Sequence, residues 1–127
     1  MKQYDPDIAF TGSQWLAVSE HTRIEMVAEY HRRKRVVLPN SRLHAVVHVI
    51  VENQLALDVF QVVEALKRLQ GEGLSRHDAI HAIGMVLTEH VFDAFNEKTA
   101  AVPDLEGTYL ERLNELSADK WRRSGEE

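Results

Sequence analysis

Two apolar segments carry histidines four residues apart: LHAVVHVIVENQ over 43–54, with His44 and His48, and RHDAIHAIG over 76–84, with His77 and His81. On a helix that spacing separates two side chains by about 6 Å of rise and about 40° of turn, so both imidazoles reach one ion. Seven histidines scattered over 127 positions would give about 0.3 such pairs. Two pairs are an excess, and they demand helices at both places.

The rest of the chain repeats with the same period. Ile24, Val27, Ala28 and His31 share one side of a helix predicted over 20–33, and Ser41 is placed to cap a second helix through about 54. Asp58 is placed to cap a third, along which Val59, Val62, Val63, Leu66 and Leu69 recur until Gly71 and Gly73 end it. Ser75 with Asp78 opens a long helix from 76 to about 96, with Ile80, Ile83, Leu87 and Val91 turned inward. Thr108 is placed to cap the last, which carries Tyr109, Leu110, Leu113 and Leu116. Ser13 caps a short turn through Trp15 and Leu16, while Pro39 with Asn40, and Pro103 with Gly107, mark loops. No strand pattern competes, so the expectation is an all-α bundle of about five helices. It forms a single domain over 1–127, with 1–12 and 123–127 as flexible ends.

Composition narrows the chemistry. There is no cysteine, which excludes thiolate ligands, disulfides and cysteine nucleophiles; any transition metal must be held by imidazole and carboxylate. With 15 Lys and Arg against 20 Asp and Glu, the net charge of −5 argues against nucleic acid and anionic membranes as partners. The one basic run, Arg32, Arg33, Lys34 and Arg35, follows a predicted helix, where cations complement the dipole. No signal sequence and no membrane span of about 18 apolar residues is present, so a cytoplasmic location is expected.

Placed on helical wheels, His44 with His48 and His77 with His81 sit at equivalent edges of their apolar faces. Two helices packed by those faces would bring four imidazoles together as metal ligands. Gly84 lies on the same side, at a cost of about 1 kcal/mol relative to alanine, which suggests close approach of another element there. His31 is a fifth candidate ligand, or a core histidine bonded to a backbone carbonyl, whereas His21 and His90 fall off the inward faces. Glu52 lies about 12 Å along the axis from His44. It is therefore a further ligand, a partner that orients His48, or a general base on metal-bound water. Neutral imidazoles with a carboxylate suit a divalent transition metal, zinc or ferrous iron above nickel or copper. Asn53 and Gln54 are either surface amides or cross-links between helices, and Trp15 and Trp121 are packing residues.

Known catalytic signatures fit poorly. HDAIH has the zincin spacing, but Asp78 stands where glutamate is needed and no third ligand follows. The dipeptide His77-Asp78 is that of the helical phosphohydrolases, but Asp78 reads better as a capping carboxylate. The joint pattern Tyr30-His31, Leu43-His44-x-x-x-His48, Glu52-Asn53-Gln54 and Arg76-His77-x-Ala79-Ile80-His81-Ala82-Ile83-Gly84 resembles a group of short bacterial hypothetical proteins classed as a domain of unknown function. The resemblance spans roughly residues 13 to 95 and implies that the histidines and Gln54 are its hallmark positions. It implies no activity.

The sequence thus points to a metal-binding helical bundle, with metal-dependent hydrolysis by a Glu52-activated water as its cheapest reaction on an unidentified small molecule. The alternative is a non-catalytic interaction module, homodimeric through the helix around Val59 to Leu69, whose histidines form a buried hydrogen-bond network. A third reading is a pH switch in which protonated histidines repel.

Overall fold

A computed structural model describes residues 3–8, 11–34, 41–96 and 105–123. Within them lie seven helices and no strand: α1 (Gly12–Leu16), α2 (Glu20–Arg33), α3 (Ser41–Ala56), α4 (Phe60–Gly71), α5 (Arg76–Asn96), α6 (Leu105–Leu113) and α7 (Ala118–Arg123). The all-α expectation holds, and the count of about five is corrected at both ends of the chain. The turn at Trp15 is a helix in its own right, capped not by Ser13 but by Thr11, in a reciprocal box with Gln14. The last helix is two, because the chain turns between Leu113 and Ala118. Thr108 and Gly107 are therefore inside α6, neither cap nor loop. Pro39, Asn40 and Pro103 lie outside the described residues.

Asp58 is also corrected. Its φ of 55° places it in the left-handed region, where a short polar side chain is tolerated. The amide of Val59 bonds back to Gln54 O, and that of Asp58 to Leu55 O. This is the Schellman closure, so Asp58 terminates α3 and does not begin α4. Gly73, at φ 104°, closes α4 in the same way, with Leu74 bonded to Leu69 O and Gly73 to Gln70 O. Ser75 caps α5 as its sequence indicates, accepting from the Asp78 amide at 3.0 Å.

Two apolar clusters form the core. One gathers Val51 of α3 with Val62 and Leu69 of α4, Ile80 and Ile83 of α5, and Leu113 and Trp121 near the C-terminal end. The other gathers Tyr4, Trp15, Val27 and Tyr30 around Ala45 and Val49 of α3. Helix α3 serves both, which makes it the central element. Tyr4 and Pro6 are buried, so part of the N-terminal segment expected to be loose is packed into the body. No single described helix is long and apolar enough to cross a membrane.

Helices α3 and α5 approach closely at Gly84. A Cβ there would lie 2.9 Å from Val47 Cγ1, closer than two carbons pack, so a larger residue would force the Val47 side chain to shift. This is the close approach that the glycine's position suggested.

Candidate metal centre

The packing of α3 on α5 turns both histidine pairs toward each other, and α2 adds His31 from its last turn. His44 Nε2 lies 3.0 Å from His81 Nε2, and His77 Nε2 lies 3.1 Å from the same atom. The ring of His31 stands 4.6 Å from that of His44 and 5.2 Å from that of His48, and His48 stands 4.7 Å from His81. One nitrogen from each of His31, His44, His48 and His81 lies within 4.8 Å of the others. Two imidazole nitrogens on one tetrahedral zinc are about 3.3 Å apart, so these rings need little movement to share an ion.

Hydrogen bonding among the rings does not satisfy them. His81 Nε2 carries either a proton or a lone pair, so it cannot donate to one of His44 and His77 while accepting from the other. His31 Nδ1 donates to Val27 O at 2.9 Å, which fixes its tautomer and leaves a lone pair on Nε2. That Nε2 is buried with no hydrogen-bond partner, and so are both ring nitrogens of His48. Both ring nitrogens of His90, outside the cluster, are likewise buried without a partner, so it is the convergence of the four rings that sets His31 and His48 apart.

Electrostatics keeps the donors neutral. Burial first, then the charge of neighbouring imidazoles, lowers His81 to about 3 and His44 to about 4, and holds His48 well below the ordinary range. His31 and His77 are lowered as well, again chiefly by burial. Near neutral pH each of the five is therefore a neutral imidazole with one lone-pair nitrogen. Aromatic rings close the surroundings: Tyr30 stands edge-on to His31 and His77, and Tyr4 edge-on to His48.

Glu52 follows His48 by one turn of α3. Its side chain is 2% exposed and receives Arg76 in a two-pronged bridge, Nη1 to Oε2 and Nη2 to Oε1, both at 2.8 Å. The Tyr4 hydroxyl donates to Oε2 at 2.6 Å. No hydrogen bond joins Glu52 to any histidine among the described residues; the bonds it makes tie α3 to α5 and the N-terminal segment as a strut. Burial, then the neighbouring carboxylate, raises the Tyr4 phenol far above its usual range. Burial works against the Arg76 charge, but the bonds and charge of Glu52 outweigh it and the guanidinium is held more firmly protonated.

The next two residues also cross-link. Asn53 Oδ1 accepts from Trp15 Nε1 at 2.8 Å and from Arg23 Nη1 at 2.9 Å, and Gln54 Oε1 accepts from the Tyr109 hydroxyl at 2.8 Å. The open choice between surface amides and cross-links is thereby decided for cross-links, and Trp15 and Trp121 are buried as packing residues. His21 is exposed. His90, placed off the inward face by its sequence position, is buried instead; α5 is packed by α3, α4, α6 and α7, so more than one of its faces is covered.

Sequence reasoning missed Tyr4 and the role of Arg76. Arg76 carried a readable signal, because a cation in the first turn of a helix opposes the dipole and needs a specific partner. Tyr4 carried none, since it lies outside any periodic segment. Neither a family model, nor a curated protein, nor a solved structure matches the chain.

Proposed function

We propose that this protein is a metal-binding helical bundle that holds one divalent transition metal, zinc or iron, on His31, His44, His48 and His81. One observation carries the reading. Four neutral imidazoles from three helices converge within 4.8 Å, and buried nitrogens of His31 and His48 have no other partner. A nitrogen-only donor set suits zinc, iron, nickel or copper and disfavours calcium and magnesium, which take oxygen. Four protein ligands fill a tetrahedral zinc, so the geometry favours a closed centre that stabilises the fold or stores the ion. Hydrolysis with Glu52 as base has less support, because Arg76 and Tyr4 engage both of its oxygens. The metal-free network of an interaction module requires the imidazoles to satisfy one another, and His48 is bonded to nothing.

Elemental analysis of untagged protein, purified without chelator or added metal, tests this against a His48→Ala, His81→Ala double variant. The expected result is about one zinc or iron per chain, lost in the variant. Folded wild-type protein that is metal-free and takes up neither ion when offered would overturn the proposal.

A further inference from the structure

His77 is left over from the four-histidine set although its Nε2 lies 3.1 Å from that of His81. Its setting differs from that of the innermost rings. His31 and His48 are buried, whereas His77 is half-buried in the first turn of α5. Three acidic residues lie beside it. Asp7 Oδ1 accepts from the His77 amide at 2.9 Å, Asp5 Oδ1 accepts from the Asp7 amide at 3.0 Å, and Asp78 is the next residue in the chain. The adjacent cation, Arg76, is neutralised by Glu52. Exposed acidic groups alone signify nothing. Here they adjoin His77, and the buried His48, 5.6 Å from the His77 ring, has two ring nitrogens without partners.

We infer that His77 is the exchange ligand of the centre: a divalent cation gathered by Asp5, Asp7 and Asp78 is held first by His77, passes to His81, and leaves by the same route. The inference rests on the proposed function. Its physical basis is stepwise substitution. A hydrated dication sheds its water one ligand at a time, and a half-buried imidazole 3.1 Å from a ligand of the final set lets one donor replace another without a bare intermediate. Carboxylates of one sign beside a half-buried ligand raise the local cation concentration, with effects on association rates of about 10- to 1,000-fold.

The test is stopped-flow uptake of cobalt(II) by the metal-free full chain, with release into excess chelator and equilibrium stoichiometry measured on the same samples. His77→Ala is expected to bind one cobalt per chain with uptake and release both slowed at least about tenfold, and affinity little changed. Asp5→Asn, Asp7→Asn, Asp78→Asn is expected to slow uptake by about tenfold or more, with most of the salt dependence gone. Loss of an ordinary ligand would do the reverse, speeding release and weakening affinity. That result for His77→Ala, or uptake at the wild-type rate in either variant, overturns the exchange role alone. A wild-type chain that binds no cobalt overturns the proposed function and this inference together.

Discussion

Arg76→Met isolates the contribution of the strut beside the histidine cluster. Glu52 is 2% exposed and has three hydrogen bonds, two from Arg76 and one from Tyr4. Removing the guanidinium leaves a buried carboxylate with one phenol for company. Breaking a buried ion pair from one side costs about 3–5 kcal/mol, which is a fifth or more of the roughly 5–15 kcal/mol that holds a domain together. Glu52→Gln should cost less, about 2 kcal/mol, because the amide oxygen still accepts a hydrogen bond. Arg76 also keeps Pro6 O at 2.8 Å and, at 11% exposure, some access to water. A Glu52→Leu, Arg76→Met double variant removes both charges and should recover most of the loss. Urea unfolding of metal-free protein, followed by far-UV circular dichroism with the slope checked for constancy, measures all three. A loss below about 1 kcal/mol for Arg76→Met, or a larger loss for Glu52→Gln than for Arg76→Met, would refute the reasoning from burial.

Four further outcomes are expected. Free imidazoles titrate near 6.5, while burial holds folded His44 at about 4 and His81 at about 3; the unfolded chain therefore gains protons first. Metal-free stability should be level above about pH 7 and fall as pH drops from 6.5 toward 4 and then 3, and a urea midpoint that rises on acidification would contradict this. Gly84→Ala forces a methyl group to within 2.9 Å of Val47 Cγ1, and overpacking of about 1–3 kcal/mol should exceed the helix-propensity gain of about 1 kcal/mol. Gly71→Ala, with nothing within 4 Å, should be neutral or stabilising in the same assay. Free zinc at about 100 times its dissociation constant should add about 2.7 kcal/mol and raise Tm by roughly 10 °C, with no rise in His48→Ala.

What was legible in the sequence is what lies within one helix. The four-residue histidine steps, the inward side of His31, the glycine at 84 and the Ser75 cap all follow from a period of 3.6 residues, and the packed helices keep them. What was not legible depends on a second element. Glu52 and Arg76 are 24 residues apart, and nothing local to either names the other. Tyr4 gains its role only because the N-terminal segment folds back, with Arg33 and Arg76 bonding to the carbonyls of Tyr4 and Pro6. Asp58 was misread because an acidic residue between two helices is chemically fit both to open one and to close the other; the backbone sign of φ decides, and a sequence does not display it.

The consecutive residues Glu52, Asn53 and Gln54 reach different parts of the molecule: Glu52 the N-terminal segment and α5, Asn53 α1 and α2, Gln54 α6. This gives the last turns of α3 a kinetic character. No neighbouring helix among these can detach alone without exposing a polar bond anchored there, so partial opening is penalised and complete opening is the cheaper way for α3 to lose its amide protection. Backbone amides around Glu52 should then exchange with deuterium only as fast as the whole domain unfolds, while the exposed face of α7 exchanges through local fraying. In that regime the slowest-exchanging amides of α3 report the global unfolding free energy, and adding a metal ligand would slow them by the full binding increment.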